Sequence, residues 1–399
     1  METQTTEFLV ERPLKFFVIA GENSGDLFLS LLVRNIKTYA PNSTFRGLGG
    51  PQMEAAGVDV LSHITKSLAI IGITQVVRNI GKIKAEFNRV RDSLQCNPPD
   101  AVILCDYPGF NLRVARMAKR MGLTVIYYVL PQVWAWHKKR IKIIRENVDL
   151  MIPFLPFEKK FCDEHGITAF YGGHPLLDVI KVDRPRGDVC KRVGLDCGKP
   201  IIGLLPGSRK PEIVRILPAM LEACEQLYQH DRELQFVIPR ASSVSQELLE
   251  KYIERYSVPL TIVDHERYNV RAVMDFALVK SGTATLETAI LECPMIILYK
   301  TSWITWLIGK FFVKIHCIGL VNIVAGNMIV PELLQGQATG LLISETTREI
   351  LYDQEKIESK RQALRRVKEQ LGEPGATNKA ARAIVKLLES PKSPAPAKP

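Results

Sequence analysis

Two charged side chains stand where an apolar run gives way to a helical pattern. In AVILCDYPGFN, Asp106 follows a strand-like segment, and in IIGLLPGSRKPEIVRILP, Arg209 closes a Pro-Gly-Ser-Arg turn. A carboxylate at a strand tip can take a proton from an attacking hydroxyl. A guanidinium beside the free amides of a helix N-terminus can hold a phosphate, and Gly207 and Ser208 would let the backbone approach it closely. Plainer readings of the same residues exist: a tight turn with an exposed Arg, and for Asp106 a helix N-cap ahead of Pro108. The G-x-x-x-x-G-K-[ST] phosphate loop is absent.

FALVKSGTATLETAI repeats the arrangement. Ser281, Gly282 and Thr283 follow a strand, where their hydroxyls and amides could bind a second phosphate or cap the helix. Glu287, one turn in, is too far from Ser281 to complete a capping box. Its carboxylate is therefore expected to be free for ribose hydroxyls, or simply solvated. VIAGENSGD puts Glu22, Asn23 and Ser24 at another tip, with Asp26 near the helix start, and departs from G-x-G-x-x-G. No D-x-D occurs. The expectation is a nucleoside diphosphate held without metal or cofactor, its leaving charge stabilised by Arg209 and helix dipoles.

These tips need a parallel sheet to carry them. LKFFVIAG, TFRGLGG, AVILCD, TVIYYVLP and LMIPFL read as strands between helix-length segments, and IIGLLPGS, LQFVIPR, LTIVD, FALVKSG and MIILYK form a second series. The alternation predicts an α/β fold of two Rossmann-like domains whose parallel sheets face each other across a cleft. The expected boundaries are 1–180 for the first domain, 181–199 for a linker and 200–348 for the nucleotide-binding second domain. Charge-rich helices over 349–389 should pack across the domains, and 390–399 should be a disordered tail.

The chain of 399 residues, 46% apolar and 24% charged, is long enough for two cores. Its apolar stretches fall short of a membrane span, and METQTTEFLVERPLKFF carries acidic residues where a secretory signal would carry Lys or Arg, so a cytoplasmic location is expected. The eight cysteines, at 96, 105, 162, 190, 197, 224, 293 and 317, show no C-x-x-C and are read as thiols. A net charge of +11 implies an anionic partner. Nucleic acid is disfavoured, because no nucleic-acid-binding signature accompanies the charge.

AGENSGD, GLGGPQMEAAG, CDYPGFN, YYVLPQVWAWHKKRIKII, FLPFEKKF, GGHPLLD, LLPGSR, SGTATLE, CPMIILYK and VNIVAGNMIVPELLQ together resemble the lipid-A-disaccharide synthase family. They occur in the family's order from about Phe16 to the C-terminal helices. The resemblance implies a GT-B glycosyltransferase. Such an enzyme moves 2,3-diacylglucosamine from its UDP conjugate to the 6-hydroxyl of 2,3-diacylglucosamine 1-phosphate, giving a β-1,6 disaccharide with inversion and releasing UDP. It carries Asp106 over as base and Arg209 as diphosphate contact. Glu22, Ser281, Thr283, Glu287, Asn322, Glu332 and Gln335 match positions lining the family's cleft. One departure is Gly109, where members often have a second acidic residue.

Lipid substrates would also account for the basic charge. Ile73, Val76 and Ile80 recur at helical spacing, and TSWITWLIGKFFVKIHC offers Trp303, Trp306, Leu307 and Phe311 beside Lys310 and Lys314. Such helices can lie in an anionic membrane interface and receive acyl chains, although core helices with snorkelling lysines have the same pattern. The partners expected are the two glucosamine lipids and the cytoplasmic face of the inner membrane, with room for a homodimer. The rival readings are a UDP-N-acetylglucosamine 2-epimerase on the same architecture and a basic nucleic-acid-binding protein.

Overall fold

The computed structural model describes residues 8–63, 80–134, 139–301 and 317–390. The chain divides into two units, one running to Asp178 and resumed from Gly372, the other Val179–Leu371. The first holds a six-stranded sheet of β1 (Lys15–Ala20), β2 (Thr44–Gly49), β3 (Asp59–His63), β4 (Ala101–Cys105), β5 (Thr124–Tyr128) and β6 (Leu150–Ile152). Its order is β3-β2-β1-β4-β5-β6. The second holds β7 (Ile201–Leu205), β8 (Gln235–Pro239), β9 (Leu260–Val263), β10 (Phe276–Lys280), β11 (Met295–Tyr299) and β12 (Glu332–Leu334), in the order β12-β11-β10-β7-β8-β9.

Among the described residues all the strand pairings are parallel. A parallel strand covered by helices on both faces must be apolar throughout. β4 and β7 meet that condition, being buried at every residue. Leu104, Val114 and Tyr127 share one core, and Leu204, Ile216 and Leu278 share another. Each fully buried aliphatic side chain contributes roughly 1.5–3 kcal/mol.

The strand order reverses at one place in each sheet, between β1 and β4 and between β7 and β10. Ligands of open α/β sheets bind at that switch point, outside the C-terminal ends of the strands. Ala20 is in register with Cys105, and Leu205 with Val279. GENSGD and DYPGFN therefore leave neighbouring strands of one sheet, and PGSR and SGTA leave neighbouring strands of the other.

Some expectations need correction. The 181–199 stretch is not a free linker but part of the second unit, with a helix at Arg186–Val193. Arg186 donates to the Val273 carbonyl at 2.7 Å and to Asp275 at 2.9 Å, and Asp183 pairs with Asn269 at 2.8 Å. Nor are all eight cysteines thiols, because Cys190 and Cys197 form a disulfide with Cα atoms 5.8 Å apart. The turn at Gly194 (φ 73°), which ends that helix, brings them within bridging distance. Of the C-terminal helices, Gly340–Leu351 and Gln354–Gln370 belong to the second unit and Ala376–Glu389 to the first. Residues 391–399 of the expected tail lie outside the described residues.

Two of the quoted stretches hold acidic residues that serve as clamps. Asp26 does not face a ligand site: its carboxylate is 2% exposed and accepts the amides of Gly50, Gln52 and Met53 at 2.9–3.1 Å, capping the short helix Pro51–Ala55. A Cβ on Gly50 would lie 2.6 Å from that carboxylate. Asp178 of GGHPLLD accepts the amides of Gly375 and Thr377, which fixes the start of the last helix on the first unit. Tyr39 then donates to Asn378 at 2.7 Å and holds that helix beside Asn23–Tyr39.

Candidate active site

Asp106 and Tyr107 both adopt the left-handed conformation, with φ of 57° and 44°. That geometry is uncommon for residues with side chains and costs of order 1 kcal/mol each. The surrounding residues hold it in place. Asn111 donates to the carbonyls of Cys105 (3.1 Å) and Asp106 (2.7 Å), and the Tyr127 hydroxyl donates to the Asp106 carbonyl at 2.8 Å. Tyr107 stacks on Phe110 and lies so close to Gly21 that a Cβ there would meet its own at 2.2 Å. The residues of CDYPGFN thus build a bent tip that displays the half-buried Asp106 carboxylate beyond β4. Tyr107 is the helix N-cap, and Asp106 Oδ1 accepts the Tyr107 N–H at 2.9 Å.

Beside it, Glu22 is the extended residue before the helix that Asn23 begins, with Ser24 next in line. Gly21 donates to the Cys105 carbonyl at 3.3 Å, which ties the two tips together. A Cβ added at Gly109 would meet nothing within 4 Å, so the absent second acidic side chain has room here.

In the second unit, Arg209 caps the helix Lys210–His230, and Gly207 takes φ 116°, a conformation suited to glycine. Two side chains missed in the sequence complete this tip. Glu212 lies 2.8 Å from the Lys280 ammonium and 3.5 Å from the Arg209 guanidinium. Lys280 ends β10 directly before Ser281, and its Nζ is 3.6 Å from where a Gly282 Cβ would stand. The helix from Thr283 has no side-chain cap, and Ser281 spends its hydroxyl on the Ile318 carbonyl at 3.2 Å. Ser208, Arg209, Lys280, Gly282 and Thr283 therefore meet at the switch point as a cationic, amide-rich tip.

Glu287 is not the free acceptor expected. It is 4% exposed, receives Arg267 at 2.7 Å and Tyr268 at 3.2 Å, and is also paired with Arg271. Burial pushes its carboxyl up, but Arg271 and Arg267 outweigh that and leave it below the usual 4.5. Asn322, Glu332 and Gln335 are likewise spent on backbone. Asn322 accepts the Ile329 and Val330 amides and donates to the Val330 carbonyl and Glu332. Glu332 accepts the Ile318 and Gly319 amides at 2.8 and 2.9 Å, and the Gln335 amide pairs with both backbone groups of Thr301. These three shape the loops after β11. Ile73, Val76, Trp303, Trp306, Leu307, Lys310, Phe311 and Lys314 lie outside the described residues, whereas Ile80 is 67% exposed.

His174 and Trp134 have packing roles. His174 Nδ1 accepts the Leu176 amide at 3.1 Å, with its ring against Phe28 and Phe154. Trp134 donates to Glu158 at 3.1 Å. Glu158 is 3% exposed, and burial raises its carboxyl from 4.5 to about 7 against three hydrogen bonds that lower it. The folded state therefore keeps a proton that the unfolded chain releases. Its contribution to stability, about 3 kcal/mol, is complete below about pH 4.5 and is lost as pH rises through about 7. Glu158→Gln should flatten the change in urea midpoint across that window; an unaltered pH slope would assign it to other groups.

Among the described residues no group of three or more His, Cys, Asp or Glu could hold a metal ion, and no helix is long and apolar enough to cross a membrane. The family model for lipid-A-disaccharide synthetase matches residues 16–387. The chain belongs to this family. The family's enzymes are glycosyltransferases of lipid A biosynthesis, which makes this protein a hexosyltransferase. A lipid-A-disaccharide synthase of Trichlorobacter lovleyi is 38% identical over 95% of this chain and 99% of its own length, and that of Geobacter sulfurreducens is 38% identical over 94% and 97%.

Solved structures share the fold at low identity. MnaA of S. aureus, solved with UDP, has a TM-score of 0.65 at 11% identity over 94% of this chain and 97% of its own. The calicheamicin glycosyltransferase CalG4 has a TM-score of 0.60 at 15% identity over 96% and 100%. The two six-stranded parallel sheets accordingly make this a GT-B-type member of the α/β class.

Proposed function

We propose that the protein transfers 2,3-diacylglucosamine from UDP-2,3-diacylglucosamine to the 6-hydroxyl of 2,3-diacylglucosamine 1-phosphate with inversion. The single observation that carries this reading is the cationic, amide-rich tip at the β7/β10 switch point, suited to a nucleoside diphosphate. The strained, carboxylate-bearing tip after β4 is suited to the acceptor. In the reaction the acceptor O6 bonds to the donor's anomeric carbon, whose bond to the diphosphate oxygen breaks. Asp106 takes the hydroxyl proton, and UDP leaves with its new charge held by Arg209 and the amides around Ser208 and Thr283. No residue has to form a covalent intermediate.

The test is to mix both lipids with the purified protein in detergent and follow UDP and disaccharide by mass spectrometry. Acceptor-dependent disaccharide is the expected product, and Arg209→Ala should lower its rate by about 10²-fold or more. Isomerisation of a UDP-sugar without acceptor would point to the epimerase reading instead.

We further propose peripheral binding at the cytoplasmic face of the inner membrane. The supporting features are the exposed Ile80 and the Trp- and Lys-bearing stretch 303–314. Charge reversal at Lys310 and Lys314 should weaken binding to vesicles containing anionic lipid, by about 1 kcal/mol for each Lys removed. UDP binding should persist. Unchanged vesicle binding would remove both lysines from the membrane contact.

A further inference from the structure

The space beside Gly207, where the sequence suggested a close approach by phosphate, holds a carboxylate. A Cβ built on Gly207 would lie 2.5 Å from Glu212 Oε2. That oxygen accepts the Ser208 amide at 3.2 Å, and Oε1 lies 2.8 Å from Lys280 Nζ and 3.5 Å from Arg209 Nη1. Both Lys280 and Glu212 are mostly buried, with side-chain exposures of 20% and 17%. One backbone amide and two cations therefore converge on a single anionic group. This is the donor set that a phosphate takes at a strand-to-helix tip.

We propose that Lys280 is a second catalytic cation for the leaving diphosphate and that Glu212 is its internal stand-in. Incoming UDP-sugar displaces the Glu212 carboxylate, and Lys280 and Arg209 exchange it for phosphate oxygens; when UDP leaves, the carboxylate returns. The proposal rests on the UDP-sugar reading above. The physical reason for such an exchange is that a mostly buried ammonium such as that of Lys280 is costly unless paired. Glu212 keeps Lys280 paired between turnovers, and by competing with UDP it lowers product affinity and speeds release. A side chain at Gly207 would compete for the space the carboxylate fills, and the positive φ there already favours glycine.

The experiment is a calorimetric titration of UDP into the full chain at fixed ionic strength, on wild type, Lys280→Met, Glu212→Gln and the double variant. Lys280→Met should weaken UDP binding by about 10-fold or more, and Glu212→Gln should strengthen it by about 3- to 10-fold. The double variant removes both mostly buried charges together, so it remains informative if a single variant fails to fold. It should bind UDP about 10-fold more weakly than Glu212→Gln alone, or, lacking that variant, no more tightly than wild type. A Lys280 that merely supports Glu212 would be silent in the Glu212→Gln background, which would overturn its role as a cation for the diphosphate. Weaker UDP binding by Glu212→Gln would overturn the stand-in. Inorganic pyrophosphate is titrated in parallel. Wild type that binds pyrophosphate but not UDP would uphold the cation pair and remove the nucleotide-sugar reading, while wild type that binds neither would overturn the pair itself.

Discussion

Asp106→Asn should lower acceptor-dependent disaccharide formation by about 10²–10⁴-fold and leave UDP binding close to that of wild type. Asparagine is the informative replacement because it tolerates the left-handed backbone that Asp106 occupies, and its amide oxygen can still accept the Tyr107 N–H. The carbonyl contacts from Asn111 and Tyr127 do not depend on the Asp106 side chain, so the tip should keep its shape. What disappears is the capacity to take a proton. Single-turnover rates with saturating acceptor isolate that step. Near-wild-type turnover would move the base elsewhere. Gly109→Asp in the Asp106→Asn background then becomes the next measurement, since the open space at Gly109 admits a carboxylate one helical residue beyond Pro108. Recovery of rate there would place the acceptor hydroxyl within reach of both positions.

Glu287→Gln should destabilise the protein by about 3–5 kcal/mol, read as a lower urea midpoint. Arg271 is 7% exposed and Arg267 leans on the same carboxylate, so the neutral amide leaves buried positive charge without compensation. Replacing Arg271 and Glu287 together by Met and Leu should recover most of the loss, because an apolar pair needs no desolvation of charge. The folded pKa of Glu287 is depressed, so its contribution is present above the usual carboxylate value and falls away as pH drops through the lower folded one. A Glu287→Gln variant as stable as wild type would mean that the two arginines find other partners. The helix carrying Glu287 starts at Thr283, so the same substitution should loosen the Ser281-Gly282-Thr283 tip.

Much of the fold was legible because its signals are local. Ten of the twelve strands among the described residues are apolar runs closed by Gly, Pro or a charged residue, and the buried interior of a parallel sheet requires such runs. The two that escaped, β3 (Asp59–His63) and β12 (Glu332–Leu334), are the outermost strands on one side of their sheets. An edge strand is half solvated and short, so its composition resembles that of a loop. The supposed linker at 181–199 misled for the opposite reason. Pro, Gly and charge mark turns, but they do not reveal that Arg186 and Asp183 find partners on Asp275 and Asn269 more than eighty residues away.

The candidate site divides in the same way. The sequence by itself determined where chemistry could occur: Asp106 after β4, Arg209 after β7 and Ser281-Gly282-Thr283 after β10, because strand-to-helix junctions are written in adjacent residues. Only the tertiary structure decided which polar groups are spent. It engages Glu287 with Arg267 and Arg271, turns Asn322, Glu332 and Gln335 onto backbone, and joins Cys190 to Cys197. It also brings Glu212 and Lys280 together across 68 residues of chain. Hydrogen-bond partners and ion pairs depend on which strands become neighbours in space, and the β7/β10 pairing that creates this contact has no local signature in either strand.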